Sequence, residues 1–78
     1  MKMVEAITKL LRNTTWKCGR MQRLVVNYLR NQLQMFGRVK IPVREMLQYF
    51  KIDVKQKQEF FSAIKRLEKR RIITVEEV

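Results

Sequence analysis

Six polar side chains recur at helical spacing in the stretch 54–70, and their types are those that bind anions. Successive helix positions turn by 100°, so the six fall within an arc of about 100° on the side opposite Phe60, Ile64 and Leu67. They are Lys55, Gln58, Ser62, Lys65, Arg66 and Lys69. Lys and Arg bind phosphates or guanine, Gln bonds adenine, and Ser is small enough to allow a close approach. The pattern therefore predicts a helix with an anion-binding outer face.

The alternative is that this arc is only the solvated face of a core helix. A solvated face normally mixes both signs of charge. Here no carboxylate lies inside the arc, since Glu59 falls just beyond one edge and Glu68 lies next to the apolar side. The segregation of charge favours a polyanionic ligand over simple solvation.

The composition points in the same direction. Eighteen Lys and Arg stand against seven Asp and Glu, which gives a formal net charge of +11. Such an excess repels itself in the compact state, and a polyanion relieves the repulsion. Nucleic acid is the first candidate, because each neutralised phosphate releases condensed counterions. An acidic membrane or solubility alone are the other interpretations. Arg20, Arg23 and Arg30, on the polar face of a predicted helix over 20–36, would add phosphate contacts or simply confer solubility.

Other kinds of chemistry find little support in the residue types. The chain has no histidine and one cysteine, so the commonest general base, the commonest metal ligand and an internal disulfide are all missing. Paired carboxylates and a phosphate-binding loop are not found either. We expect no enzyme activity, no cofactor, no metal and no small-molecule substrate. The N-terminal segment lacks the apolar run of a signal peptide or membrane span, so we expect an intracellular protein without a membrane partner.

Residues 1–18 predict a helix followed by a connector. Met3, Ile7, Leu10 and Leu11 recur at helical spacing and predict a helix over 4–12. This helix would either complete the core of the monomer or form the face of a homodimer, and we favour the dimer. In the connector over 13–19, Trp16 is expected to pack against another element.

The stretch 20–75 predicts a core of three helices with short strands. The helix over 20–36 ends at Gly37, a strand covers 39–41, and Pro42 begins the next helix. Asp53 and Gln56 have the spacing of a capping box before the helix over 54–70, and the β-branched run 72–75 predicts a strand. The inward face of the helix over 20–36 is predicted to carry Met21, Leu24, Val25, Tyr28, Met35 and Phe36. We expect a single domain over 1–78, mainly α with a small β component.

The order helix, short strand, helix, three-residue turn, longer helix and strand resembles the core of the winged helix-turn-helix superfamily. The likeness is carried by 41–47 (IPVREML), by Ile52-Asp53 and by 64–73 (IKRLEKRRII), and it spans about 20–75. The short, basic chain also looks like the small regulators of archaeal viruses and plasmids. The resemblance implies a transcription regulator that inserts the helix over 54–70 into the major groove of double-stranded DNA, with Arg44 and Lys51 at the flanks.

Two features depart from the pattern of that superfamily. Lys51 and Arg71 stand where glycine is usual, in the turn before the recognition helix and before the wing strand. A full wing also needs a hairpin and a returning strand after 72–75, and few residues follow. We therefore expect a winged helix-turn-helix with a truncated or absent wing and an extra N-terminal helix. RNA binding, or docking to a protein such as a polymerase or replication factor, are the alternative functions.

Overall fold

The computed structural model describes residues 3–77, apart from the side chain of Met3. It is a small α+β domain with three α-helices and a three-stranded antiparallel sheet. After a 3-10 turn at Met3–Glu5, the elements in chain order are β1 (Ile7–Leu10), α1 (Arg20–Phe36), β2 (Lys40–Pro42), α2 (Val43–Tyr49), α3 (Val54–Lys69) and β3 (Ile73–Glu76). The small β component and the three core helices were therefore predicted correctly. Within residues 3–77, no helix has the length and apolar character needed to cross a membrane.

The N-terminal segment is a strand, and the predicted helix over 4–12 is wrong. β1 occupies the middle of the sheet, antiparallel to β2 on one side and to β3 on the other. Thr8 lies opposite Ile41 and Val75, is fully buried, and donates its hydroxyl to the Ile41 carbonyl oxygen at 2.7 Å. Pairing on both edges satisfies the backbone of β1, and this tertiary gain outweighs a weak local helix preference. The segment thereby completes the core, through Ala6 and Thr8.

The core lies between the sheet and the three helices. Phe60, Ile64 and Leu67 of α3 are fully buried, as their spacing predicts. They meet residues contributed by α1, α2, the strands and the turn before β3, namely Val25, Val26, Leu29, Ile41, Val43, Met46, Ile72 and Ile73. Burying one face of α3 against this cluster fixes which of its residues face solvent.

The inward face of α1 differs in part from the prediction. Val25 and Tyr28 are buried as expected, but Met35 and Phe36 are 71% and 65% exposed. The buried stripe includes Gln22, Val26 and Leu29 instead, and among the described residues of α1 none beyond Leu29 is buried. The reason is one of length: the 17-residue helix extends about two turns beyond the elements that cover it.

Helices α2 and α3 end with a residue in the left-handed backbone conformation. Lys51 has φ 52° and Arg71 has φ 58°, and Gly37 after α1 has φ 65°. Lys51 N–H donates to Gln48 O at 3.2 Å and Ile52 N–H to Leu47 O at 3.0 Å. The same two bonds recur after α3, from Arg71 to Glu68 at 2.9 Å and from Ile72 to Leu67 at 3.0 Å. This is the Schellman motif, which normally places glycine at the left-handed position. The backbone at Lys51 and Arg71 therefore has the geometry that glycine would favour.

The start of α3 is fixed by the predicted capping box. Gln56 N–H donates to the Asp53 carboxylate at 2.9 Å, and the Gln56 side chain accepts from Asp53 N–H at 3.3 Å.

A polar cluster joins the end of α1 to α2. Arg38 donates to both carboxylate oxygens of Glu45, at 2.7 and 2.8 Å, and the Tyr28 hydroxyl donates to Glu45 at 2.5 Å. Hydrogen bonding by Arg38 holds the pKa of Glu45 below its usual value. Burial, followed by the hydrogen bond to Glu45, raises the pKa of Tyr28 to about 12. Arg38 is thus engaged in holding the fold together.

Candidate nucleic-acid interface

The outer face of α3 carries the six side chains that the sequence analysis selected. All of them are exposed: Lys55, Gln58, Ser62, Lys65, Arg66 and Lys69. The opposite face of the helix supplies Phe60, Ala63, Ile64 and Leu67 to the interior. A 16-residue α-helix is about 24 Å long, so the face forms a straight ridge more than four turns in length. The major groove of B-form DNA is wide enough to admit an α-helix.

Arg20 of α1 and residues of α3 line a common groove beside this ridge. The first turn of α1 runs next to the middle of α3, and the groove between them measures about 330 Å³. Arg20, Ser62, Arg66 and Glu59 all line it. Within residues 3–77 the salt bridge found is that of Arg38 with Glu45, so neither arginine of the groove forms a salt bridge with Glu59. The predicted secondary contact at Arg20 thus lies next to the predicted primary ones.

The α1 end of this groove is also rich in donors. Gly19 precedes α1 and offers no side chain to cap it, so the first amides of the helix lack a side-chain acceptor. The N-terminus of a helix carries partial positive charge and attracts anions. Together with Arg20 and Arg66, it makes this part of the surface positive despite Glu59.

The other predicted contact residues lie outside this groove. Arg23 is exposed and Arg30 half-buried, and Arg30 lies about 15 Å along α1 from Arg20. Arg44 lines a separate, apolar cleft of about 460 Å³ with Val4 and Ile7. Lys51 is exposed and stands three residues before α3, at the end of the ridge that Lys55 begins. Of the two flanking residues, Lys51 therefore lies in line with the ridge, and Arg44 lies apart from it.

The predicted helical dimer face does not exist in this form. Ile7 and Leu10 are half-buried strand residues in the middle of the sheet, and Leu10 packs against the core. Leu11 is half exposed, and the side chain of Met3 lies outside the described residues. Because β1 is hydrogen-bonded along both edges, these residues cannot present the stripe of an amphipathic helix. Dimerisation itself stays a prediction, without a surface assigned to it.

The connector between β1 and α1 holds residues that the sequence analysis missed. Trp16, expected to be packed, is 69% exposed. Arg70, at the end of α3, donates to the carbonyl oxygens of Trp16 and Lys17 at 2.7 and 3.3 Å and contacts Cys18 Sγ at 3.3 Å. The signal in the sequence was the charge distribution, because no Asp or Glu occurs between Glu5 and Glu45. Trp16 therefore lies in a stretch whose charged residues are all Lys or Arg.

Comparison with known proteins finds no matching family, no similar characterised protein and no similar solved structure. Within the described part of the chain, no three Cys, Asp or Glu side chains come together as a metal site would require.

Proposed function

We propose that this protein binds double-stranded DNA through α3 and acts as a winged-helix-like regulator of transcription. The observation that carries the proposal is the exposed outer face of α3, which holds four cations and two hydrogen-bonding side chains without a carboxylate. Lys and Arg would neutralise phosphates, and those that reach base edges would read sequence. Gln58 and Ser62, near the centre of the ridge, are the natural candidates for contacts at the groove floor.

The surrounding architecture supports a helix-turn-helix interpretation. α2, the turn at 50–53 and α3 follow one another without further insertion, and the turn has a left-handed residue at Lys51. Arg71 is left-handed as well, before the strand that the superfamily uses as the first strand of its wing. The place that a returning wing strand would take beside β3 is filled by β1. A compact domain is therefore possible without a wing hairpin.

A pair of matched double variants tests the proposal. Lys65→Ala with Lys69→Ala removes two exposed cations from the ridge, and Lys9→Ala with Lys40→Ala removes two exposed cations from the sheet. Each pair lowers the net charge by two. Binding of a labelled duplex is followed by fluorescence anisotropy over a range of salt concentrations. The logarithm of the affinity falls with the logarithm of salt by about 0.9 for each phosphate neutralised.

The ridge variant should bind more weakly and lose about 1 to 2 from the magnitude of this slope. The sheet variant should retain the wild-type slope. Equal slopes for the two variants would show that α3 has no special role and would refute the proposal.

RNA binding is separated from DNA binding by the shape of the two duplexes. The major groove of A-form RNA is deep and narrow and does not admit a helix, whereas that of B-form DNA does. At equal salt we expect a DNA duplex to displace a bound duplex RNA of the same sequence. Preferential retention of the RNA would favour the alternative function.

Docking to a protein partner is the second candidate, and one observation favours it. Leu33, Met35 and Phe36 leave an apolar surface at the uncovered end of α1. Replacing Phe36 with Asp would disrupt such a surface and should leave DNA binding unchanged. If the wild-type chain binds no nucleic acid in a salt-dependent way but self-associates or co-purifies through Phe36, the docking function is correct instead.

A further inference from the structure

We infer that the connector over 11–19 is a second contact site for nucleic acid, at which Trp16 stacks against an unstacked base. The inference rests on the proposed function, because α3 would deliver the nucleic acid to this site. It assigns a ligand group, the flat face of a nucleobase, to a residue outside the helix-turn-helix unit.

Trp16 has the exposure and the surroundings of a stacking residue. The side chain is 69% exposed, and the ammonium group of Lys17 lies over one face of its ring, 4.6 Å from the centroid, so a base would stack on the other face. Aromatic faces stack on bases of any sequence, and a neighbouring cation adds attraction to the phosphate that follows the base. A tryptophan exposed to water leaves a large apolar area unburied, and such residues are enriched at binding interfaces.

The connector is held in place although it has no regular secondary structure. Arg70 donates to the carbonyl oxygens of Trp16 and Lys17 at 2.7 and 3.3 Å, so the backbone that follows the tryptophan side chain is tied to the end of α3. Leu11 N–H and Arg12 N–H both donate to Ile72 O, at 2.8 and 3.1 Å. Trp16 N–H donates to Thr14 Oγ1 at 3.2 Å. A side chain whose backbone is ordered in advance loses less entropy when a ligand binds.

The position of the connector extends the α3 ridge. Arg70 follows Arg66 by one helical turn, about 6 Å on the helix surface. The cations Arg12 and Lys17 thus lie just past the end of the ridge. A polyanion that follows α3 toward its C-terminus would reach them next.

The charge of the two ends of the sheet decides between possible occupants. At the connector end, Leu10 lies opposite Ile73, and the adjoining residues are basic. At the other end, about 10 Å away along β1, Ile7 lies opposite Glu76. Glu5 and Glu77 are nearby in the chain, and Arg44 lines the same cleft as Glu5 and Ile7, so carboxylates outnumber cations among these residues. The phosphates of a nucleic acid are attracted to the basic end, whereas an uncharged apolar protein surface gains nothing from the cations there.

The bases of a regular duplex are already stacked, so the partner of Trp16 is a base that has left the stack. It can belong to a single-stranded overhang beside the duplex on α3, or to a kinked step into which an aromatic wedge inserts. Both sources offer the same chemistry and are separated by the choice of probe.

Trp16 is the only tryptophan in the chain, so its fluorescence reports on this site alone. Three DNA probes are titrated: a blunt duplex, the same duplex with a short overhang, and the single strand of that overhang. Anisotropy of a label on the DNA measures binding independently. We expect strong quenching by the overhang duplex, and quenching by the blunt duplex only if the source is a kinked step.

Substitutions measure the contribution of stacking. Trp16→Ala should weaken the binding of the probe that quenches by about 5- to 150-fold. Trp16→Leu, which keeps an apolar side chain but no aromatic face, should lose as much as Trp16→Ala. Trp16→Phe should retain most of the affinity.

A matched pair of arginine variants tests whether binding at Trp16 requires the hydrogen bonds from Arg70 to the connector. Arg70→Lys keeps the charge but loses the planar fork that donates to several acceptors at once. Arg71→Lys makes the same substitution at the next residue. We expect Arg70→Lys to reduce both quenching and affinity for the probe, and Arg71→Lys to leave both unchanged, with thermal unfolding of each variant confirming an intact domain.

The outcomes separate this inference from the function on which it rests. If DNA binds by anisotropy but Trp16 fluorescence does not change, or if Trp16→Leu binds as tightly as the wild type, the inference is wrong and the proposed function stands. If no probe binds in a salt-dependent way, the proposed function fails, and the stacking site fails with it.

Discussion

Replacing Lys51 with glycine should stabilise the domain and weaken its binding to DNA at the same time. Lys51 occupies the left-handed position of the turn between α2 and α3, with φ 52°. That conformation costs a residue with a Cβ about 1 to 2 kcal/mol. Glycine avoids the cost but loses about 0.5 to 1 kcal/mol through its more flexible unfolded state. The net gain should be about 0.5 to 1 kcal/mol in the free energy of unfolding.

A domain of this size shifts its melting temperature by about 4 to 8 °C for each kcal/mol, so Lys51→Gly should melt about 2 to 8 °C higher. Lys51→Ala is the control, because it removes the same charge and keeps the cost of the left-handed backbone. Its stability should stay near that of the wild type. Both variants should lose one phosphate contact, which lowers the magnitude of the salt slope of DNA binding by about 0.9.

The two variants test the backbone strain and the DNA contact separately. If Lys51→Gly and Lys51→Ala melt at the same temperature, the left-handed backbone carries no strain. If both keep the wild-type salt slope, Lys51 does not contact the DNA. The same comparison at Arg71, where φ is 58°, should give a similar gain in stability.

Two further predictions concern the fold itself. Because the pKa of Tyr28 is about 12 in the folded state and about 10 when unfolded, its contribution to stability is complete below pH 10 and is lost as the pH rises to 12. Urea unfolding across this range should show a drop in stability that is smaller in Tyr28→Phe. Thr8→Lys would bury an unpaired charge in β1 and should cost about 3 to 5 kcal/mol, while Lys9→Thr, one residue along and exposed, should change stability by about 0.5 kcal/mol or less. Similar losses of unfolding free energy at both positions, measured by denaturant unfolding, would contradict the assignment of residues 7–10 to a central strand.

The part of the fold from α2 to α3 could be predicted because its signals are local. Asp53 and Gln56 form the capping box, and Phe60, Ile64 and Leu67 are fully buried. Each of these features depends on residues within two helical turns of one another. The outer face of α3 follows from the same periodicity, so its exposure could be predicted too.

The N-terminal segment could not be predicted, because the force that orders it is long-range. Ile7, Leu10 and Leu11 have helical spacing by coincidence, and the fully buried residues of the segment are Ala6 and the polar Thr8. Its burial is compensated by a hydrogen bond to Ile41, 33 residues away in the chain. No local pattern reveals that bond. The same applies to Trp16, whose place is set by Arg70, 54 residues further along.

The place of β1 also explains why the proposed interface lies at one end of the molecule. A wing of the kind considered in the sequence analysis would continue from the Glu76 end of β3. Here that end carries Glu5, Glu76 and Glu77, which would repel phosphates. The basic connector lies at the opposite end, tied to the last turn of α3 by Arg70. If α3 lies in a groove of DNA, the second contact should therefore come from the connector and not from the strand ends where a wing would stand.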